Sequence, residues 1–252
     1  MVKVTDTEHP YELDVKRKIL ESPQFFGNIG NHVVISEKAI SDFSVIADLL
    51  VFSENYGIIG IEIKTEHDST QRLNKQLRAY EAITTETWVV VHDSLYPHVE
   101  KVLKTNNHPH VGVISYTVFE GEIYMGKVIE PTISNTFMAE HVLNMMHKTE
   151  LLSLARRVTA TTYTKTGKNV VTGAYGDNRE GRSSTVTGRF PKRMLIQIII
   201  AKLGRLGAYQ IVVDSFINHN LSLARNLKYY HFSKIPEEDG VKTHIINDAK
   251  KL

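Results

Sequence analysis

Two acidic side chains and one lysine carry the strongest chemical signal in the sequence. Asp48 interrupts the apolar run 46–52, where an aspartate has poor strand propensity and is costly to bury without a compensating partner. Glu62 and Lys64 lie two residues apart in the next apolar run, so they point to the same face of a strand. Two carboxylates and an ammonium group on one surface would suit a divalent metal ion and its substrate.

The turn between the two runs predicts how these side chains meet. Both runs are rich in Val, Ile and Leu, and a short polar segment separates them, which is typical of a β-hairpin. With the turn centred on Asn55 or Tyr56, residues whose numbers add up to about 110 face each other. Asp48 is therefore expected opposite Glu62, with the lysine on the same surface.

A hard divalent cation would compensate the two carboxylates. Mg²⁺ prefers oxygen ligands, usually one or two carboxylates together with water and substrate phosphate. Such an ion polarises a phosphoryl oxygen, lowers the pKa of a bound water and offsets charge on the leaving oxygen. Lys64 would orient the water or hold the phosphate. The set therefore predicts hydrolysis of phosphodiester bonds with Mg²⁺ or Mn²⁺, with Asp48 and Glu62 as metal ligands.

Hydrophobic periodicity predicts the elements that position these residues. The N-terminal part alternates strands and helices, and the C-terminal part is mainly helical. Strands are predicted over 32–35, 46–52, 57–64, 88–92, 111–116 and 123–129, and helices over 11–21, 68 or 69 to 83, 96–103, 136–158, 194–203 and 216–227.

A change of pattern near residue 135 predicts two regions. Residues 1–135 form a mixed α/β core, and residues 136–252 form a mainly helical C-terminal region. The latter contains a Gly/Thr/Ser-rich segment, 159–188, that is too long for an ordinary loop. This segment is mobile, forms a β-hairpin, or is ordered by a partner.

The acidic residue, the hairpin and the following Glu-Ile-Lys resemble the PD-(D/E)XK nuclease superfamily. A narrower likeness to a bacterial and phage subgroup rests on the run E-I-K-x-E-x-D-x-x-x-R-L-x-x-Q-x-x-A-Y, which begins at Glu62 and ends at Tyr80. The resemblance covers roughly residues 33–91. Ala47 stands where the most literal motif has proline, a position at which many members differ.

The resemblance implies a fold, an activity and a set of residues. The fold would be a restriction-endonuclease-like core, in which helices flank a central mixed sheet. The activity would be that of a Mg²⁺- or Mn²⁺-dependent nuclease, with DNA as the expected substrate. Asp48, Glu62 and Lys64 would be catalytic, Gln76 would support them, and Glu37 would be a further metal ligand because it follows a strand at the matching place.

Each of these residues also has a simpler structural interpretation. Glu62 and Lys64 could lie on an exposed sheet face with alternating charge, and Asp48 could be satisfied by backbone amides. Glu37 could be an ordinary turn carboxylate, and Gln76 could lie on a helix surface. These alternatives stay open at the level of sequence.

For two other groups of polar residues, a structural role is favoured over a functional one. Glu12 and Asp14 in the first helix would lie on a solvated helix face. His108 and His110 flank a proline in a polar turn with no third metal ligand in view, so we expect loop residues there.

Positive charge is concentrated in the C-terminal region. The whole chain carries a net charge of only +2, but residues 156–193 contain nine basic and two acidic side chains, a net charge of +7. Basic side chains hold phosphate backbones without reading sequence. The expected contacts are Lys165, Lys168, Arg179, Arg182 and Arg189, within a set that also includes Arg156, Arg157, Lys192 and Arg193. The alternative is a solvated flexible segment.

Composition excludes several classes of site. The chain has no cysteine, which rules out disulfides, thiolate metal sites and cysteine nucleophiles, and it has no phosphate-binding GxxxxGK[ST] loop. No apolar leader and no stretch of about 20 apolar residues is apparent, so we expect a soluble, unprocessed cytoplasmic protein without a membrane partner, encoded by a bacterium or phage according to the resemblance.

Two further functions compete with an autonomous nuclease. The first is a non-catalytic nucleic-acid-binding or scaffold module that keeps the nuclease fold. The second is an enzyme controlled by a partner through the amphipathic segment 136–158. A homo-oligomer or a protein partner is compatible with both.

Overall fold

A computed structural model describes most of the chain. The described residues are 12–40, 44–134, 136–163, 169–170, 182–183, 185–218 and 228–230. The helices are α1 (Glu12–Leu20), α2 (Leu73–Glu81), α3 (Tyr96–Thr105), α4 (Ala139–Asn144), α5 (Lys148–Thr159) and α6 (Lys192–Ile217). The strands are β1 (His32–Ile40), β2 (Val45–Ser53), β3 (Gly57–Lys64), β4 (Glu86–His92), β5 (Gly112–Phe119), β6 (Glu122–Ile129), β7 (Thr161–Tyr163), β8 (Asn169–Val170), β9 (Arg182–Ser183) and β10 (Lys228–Tyr230).

A mixed sheet forms the centre of the fold. Within the described residues its strand order is β10-β1-β2-β3-β4-β5-β6. The pairs β3·β4 and β4·β5 are parallel, and the other neighbours are antiparallel. The parallel pairs are connected through α2 and α3, as the crossover of parallel strands requires. The predicted α/β class, with helices on a mixed sheet and a helical C-terminal part, is confirmed.

Helices cover both faces of this sheet. Helix α1 packs on the face that carries Ile59, Ile61 and Ile63 of β3. On the other face, Tyr80 of α2 and Phe216 of α6 pack with the apolar residues of β1 and β2. Burial on both faces explains why β3 and β4 are almost continuously apolar.

The helices that follow residue 136 share a core with the sheet. Helices α4, α5 and α6 contribute Leu143, Leu154 and Ile199 to the same apolar cluster as Leu50 and Phe52 of β2. The boundary at residue 135 stays a prediction. What the structure describes of the later part is mainly helical and rests on one face of the sheet.

Helix α6 is long and apolar enough, by length and composition alone, to cross a membrane. It is not an unbroken stretch of about 20 apolar residues, because Lys202 and Arg205 lie within it. Gly204 has a φ of 71° and a ψ of 174°, which interrupts the helix. Leu195 and Ile199 before the break, and Val212 and Phe216 after it, are buried in the core with the sheet. This is the packing of a core helix.

Several predicted boundaries are wrong for local reasons. The predicted helix 136–158 is two helices, because His147 has an extended backbone and forms a capping box with Glu150 at the start of α5. The helix predicted from 68 or 69 begins at Leu73, since the Asp68 side chain instead accepts hydrogen bonds from the Thr65 backbone N–H and hydroxyl.

The end of α6 also differs from the prediction. The predicted helix at 194–203 is part of a longer element that runs from Lys192 to Ile217, and only the first two residues of the predicted helix 216–227 belong to that element. Residues 219–227 lie outside the described residues. In the segment 159–188, the backbone forms short antiparallel strands in the order β8-β7-β9, which agrees with the β alternative for that segment.

Candidate active site

The β2–β3 hairpin has the register that the sequence predicts. Its pairs run from Ser53 opposite Gly57 to Leu49 opposite Ile61, so the numbers of each pair add up to 110. Asp48 and Glu62 occupy the next position along the two strands, one residue beyond the pair Leu49–Ile61. The two carboxylates therefore stand where the two strands begin to separate.

The Tyr80 hydroxyl inserts between the strands at this point. The backbone N–H of Asp48 donates to it at 3.0 Å, and it donates to the carbonyl oxygen of Ile61 at 3.1 Å. The Asp48 carboxylate in turn accepts the backbone N–H of Ile63 at 2.8 Å. A side chain from α2 thus ends the hydrogen-bond ladder between β2 and β3. The Asp48 carboxylate then satisfies the backbone N–H of Ile63, which has no partner in that ladder. The alternative that backbone amides satisfy Asp48 is therefore correct for one backbone amide, that of Ile63.

Glu62 and Lys64 form a buried ion pair. Their residues are only 1% and 6% exposed, so the alternative of an exposed sheet face is wrong. Lys64 Nζ lies 2.5 Å from Glu62 Oε1, and Gln76 Nε2 donates to the same oxygen. Gln76 therefore contacts the candidate site from α2 rather than lying on a plain helix surface. Ile59, Ile61 and Ile63 point to the opposite face, as predicted.

One oxygen of Glu62 has no hydrogen-bond donor. Within the part of the chain that the structure describes, Glu62 Oε2 is buried and has no hydrogen-bond partner. The nearby Tyr80 hydroxyl opposes the rise in the pKa of Glu62, but its single proton is shared with the carbonyl oxygen of Ile61. A buried carboxylate oxygen without a donor costs free energy unless a cation or a proton compensates it.

Burial shifts the ionisation of both carboxyl groups. Burial raises the pKa of Asp48 from 3.8 to about 7, with a further contribution from the charge of Glu62, while the Ile63 N–H opposes the shift. Burial also raises the pKa of Glu62, although Lys64 opposes that shift. The pKa of Tyr80 is raised well above its usual value, first by burial and then by the negative charges of Glu62 and Asp48.

A second lysine lies beside the carboxylates. Lys16 of α1 pairs with Glu12 at 2.6 Å, and its Nζ is 3.8 Å from an oxygen of Glu37. Burial alone would lower the pKa of Lys16, but Glu12 raises it through a hydrogen bond and its charge, and Asp48 and Glu37 add to the rise. Glu12 also acts electrostatically on Asp48 and Glu62. Glu12 is therefore more than a member of a solvated helix face, whereas Asp14 pairs with Arg17.

Glu37 lies within a strand and not at its end. Strand β1 continues to Ile40, so the predicted strand end before Glu37 is wrong. The residue has a φ of 54°, an uncommon left-handed conformation for a non-glycine residue, and its side chain is 54% exposed. It occupies the position opposite Asp48, between the pairs Ser36–Leu49 and Lys38–Ala47. Its role as a metal ligand stays a prediction.

Sequence reasoning missed three contributors to this arrangement. Lys16 and the wedge formed by Tyr80 depend on contacts between distant elements. Gly60 lies under the Tyr80 ring, and a Cβ there would be 2.3 Å from Tyr80 Cδ1. A glycine within a run of isoleucines does signal a close approach in a strand, although it does not name the partner.

The predicted phosphate contacts are only partly described. Lys165, Lys168 and Arg179 lie outside the described residues, as does the side chain of Arg182. Arg189 is described and exposed. Two other members of the basic set hold backbone carbonyls, because Arg156 Nε donates to Val186 O at 3.1 Å and Lys192 Nζ donates to Asn144 O at 2.7 Å. Phosphate contact by the basic set stays a prediction.

The histidines of the α3–β5 loop are not isolated. Glu81, at the end of α2, brings a carboxylate to His108 and His110, and the three ligating atoms lie within 4.8 Å of one another. The two histidines lie in a loop, as predicted, but a carboxylate that could serve as a third ligand lies beside them. The sequence could not show it, since Glu81 is 27 residues away from His108.

Comparison with known proteins provides a family. The family model described as Bacteriophage P4 protein cII matches residues 5–220 of the 252-residue chain. The chain belongs to this family. The match includes both the hairpin with its carboxylates and helix α6, so it covers the mixed sheet apart from β10 together with the C-terminal helices. No curated protein and no solved structure matches the chain. The expectation of a phage-encoded protein agrees with the family.

Proposed function

We propose that this phage protein is a metal-dependent nuclease of the PD-(D/E)XK type that hydrolyses phosphodiester bonds, with DNA as its substrate. The observation that carries the proposal is the buried oxygen Glu62 Oε2, which lacks a donor beside a second carboxylate of raised pKa. Rigid strands bring both groups to the point where the hairpin opens. Two buried carboxylates that face each other need a cation or a proton to compensate them, and Lys64 supplies only one positive charge.

The residues of the site fit a divalent cation in both ligand type and charge. The atoms available as metal ligands are carboxylate oxygens, which Mg²⁺ and Mn²⁺ prefer. The ionised site would carry four carboxylates and two ammonium groups, which leaves two negative charges for the cation to balance. These groups are Glu12, Glu37, Asp48 and Glu62 on the acidic side, and Lys16 and Lys64 on the basic side.

Each side chain would have a defined role in hydrolysis. Asp48 and Glu62 would hold the ion, and Glu37 would be able to join them from the adjacent strand. Gln76 holds one oxygen of Glu62 and so leaves the other for the ion. Lys64 would orient the attacking water or neutralise the phosphate. The ion, when bound, would polarise the phosphoryl oxygen and lower the pKa of a bound water.

The remaining features concern substrate and location. The basic segment of the C-terminal region would hold the phosphate backbone with an affinity that falls as salt is added. A phage protein with this activity would act in the cytoplasm of the infected cell. Within this proposal, the surface formed by α4 and α5 remains available for a protein partner or a second copy.

Cleavage assays on the full chain test the proposal. Linear, circular, single-stranded and branched DNA, and an RNA of matched sequence, are incubated with Mg²⁺, Mn²⁺ or EDTA. Metal-dependent cleavage by the wild type that is lost in Asp48→Ala and Lys64→Ala supports it. Lys75→Ala is the matched control, because Lys75 is an exposed lysine on α2.

The opposite result would change the class of function. Salt-sensitive DNA binding without cleavage in either metal, by a folded wild type, would contradict the nuclease and support a non-catalytic nucleic-acid-binding module. Cleavage that persists in folded Asp48→Ala would place the reaction elsewhere in the chain. The choice among the nucleic acid substrates identifies the substrate class.

A further inference from the structure

A second cluster of ligating atoms lies at the far end of α2. Glu81 is the last residue of that helix, and His108 and His110 lie in the loop between α3 and β5. His108 Nδ1 is in close contact with Glu81 Oε1, and His110 Nε2 lies 3.2 Å from the same oxygen. Three atoms from two segments therefore converge on one point.

The protonation of His108 is constrained by its other ring nitrogen. Nε2 lies 2.8 Å from Asn74 Oδ1, an acceptor, so Nε2 carries a hydrogen. In the neutral ring, Nδ1 then has a lone pair that faces a carboxylate oxygen. Two acceptors in close contact repel each other unless a cation lies between them. A proton fits between the two atoms as they stand, and a metal ion would fit once they moved apart to the separation of neighbouring ligands.

His110 distinguishes these two cations. Its Nε2 is buried and has no hydrogen-bond partner among the described residues, although it faces Glu81 Oε1. A proton shared between His108 and Glu81 would leave His110 Nε2 with only its 3.2 Å contact to the same oxygen, which does not have the geometry of a hydrogen bond. A metal ion would coordinate the two imidazole nitrogens and the carboxylate oxygen together, and so would satisfy all three atoms.

We propose that Glu81, His108 and His110 bind one divalent transition-metal ion of the zinc class. Two histidines and one carboxylate are a ligand set that zinc accepts, with water in the fourth position. Asn74 would fix the tautomer of His108, as the outer partners of metal-bound histidines do. Arg78 lies 3.5 Å from the second oxygen of Glu81 and would hold it away from the ion.

The ion would join two elements that the chain connects only indirectly. It would fasten the C-terminal end of α2 to the α3–β5 loop. The same helix carries Gln76 and Tyr80 to the carboxylates of the hairpin. The site shares no ligand residue with the proposed Mg²⁺ site and differs from it in ligand type, and it does not depend on the nuclease proposal.

Metal titration of the full chain tests this site. The chain is freed of metal with a chelator and titrated with Zn²⁺ by calorimetry, and with Co²⁺ by visible absorption, which reports coordination geometry. We expect one equivalent to bind to the wild type and to His98→Ala, a control at an exposed histidine. His110→Ala is expected to lose at least a hundredfold in affinity.

A variant that keeps all three proposed ligands shows whether weaker binding reflects the site or a misfolded chain. Asn74→Ala removes no ligand and is expected to weaken Zn²⁺ binding by about tenfold to a hundredfold while keeping the Co²⁺ absorption bands. Failure of the folded wild type to bind Zn²⁺ would overturn the proposal and leave an imidazolium–carboxylate pair. Stoichiometric binding that is equal in the wild type, His110→Ala and Asn74→Ala would also overturn it, because such binding must occur at other histidines.

Discussion

Replacing Asp48 by asparagine should make the protein more stable at neutral and alkaline pH. The folded state raises the pKa of Asp48 from 3.8 to about 7, chiefly through burial. Above both values the wild type must keep a buried charge that the unfolded chain would solvate, so this group lowers stability there. Asparagine carries no charge, and its side-chain oxygen can still accept the N–H of Ile63.

The expected magnitude follows from the pKa values. A displacement from 3.8 to about 7, at about 1.4 kcal/mol for each pH unit, corresponds to roughly 4 kcal/mol as an upper value. Asp48 is partly exposed, so solvent screening reduces this to about 2–4 kcal/mol at pH 8. The extra free energy of unfolding of the variant should fall to about 1–2 kcal/mol near pH 5. It should vanish below pH 3.8, where Asp48 is protonated in both the folded and the unfolded state.

Urea denaturation of wild type and Asp48→Asn at pH 5 and pH 8 measures the effect. The free energy of unfolding is obtained at each pH, and the m-value shows whether the surface exposed on unfolding has changed. Added Mg²⁺ should stabilise the wild type and leave the variant unaffected, because an ion bound only to the folded state adds stability. The response of the wild type should be larger at pH 8 than at pH 6, since the carboxyl groups must lose their protons to bind the ion.

Two results would refute this reasoning. If the variant is less stable than the wild type at pH 8, the Asp48 carboxylate contributes more through the hydrogen bond to Ile63 than it costs through burial. If the difference in stability is the same at pH 5 and pH 8, the pKa of Asp48 is not raised by the fold.

Three other changes probe the surroundings of the carboxylates. Lys64→Met should abolish DNA cleavage. It should also lower the free energy of unfolding by about 3–5 kcal/mol, because Glu62 would lose its buried partner. Lys75→Met is the matched control for both the cleavage and the denaturation assay. Tyr80→Phe should cost about 1–3 kcal/mol in chemical denaturation, since one N–H and one carbonyl lose their shared partner, and unchanged stability would argue against the wedge. Gly60→Ala should destabilise the fold and reduce metal binding by displacing the Tyr80 ring, and the double variant with Tyr80→Ala should recover part of that loss in thermal denaturation.

Local sequence was sufficient to predict the hairpin. Strict alternation fixed which residues of β3 face α1, and the centre of the turn fixed the register that places Asp48 beside Glu62. Both depend on residues close together in the chain, for which periodicity and turn position are strong constraints. Periodicity placed Gln76 on the apolar stripe of the helix after the hairpin, and the family resemblance supplied its role at the site.

The surroundings of the hairpin could not be predicted in the same way. Lys16 meets Glu37, and His108 meets Glu81, only because helices dock on a sheet, and no local pattern encodes those contacts. The break before α5 was missed for a different reason. Histidine is an unusual N-cap, so the pair of His147 and Glu150 did not resemble the common capping box.

The wedge formed by Tyr80 also bears on when the protein becomes competent during its synthesis. An isolated β2–β3 hairpin would pair its strands past Leu49 and Ile61, because unpaired backbone groups there favour further ladder bonds. In the folded chain the Tyr80 hydroxyl occupies this gap, so we expect the gap to form only when α2 docks on the sheet. A nascent or partly folded chain would therefore lack the ion-binding geometry.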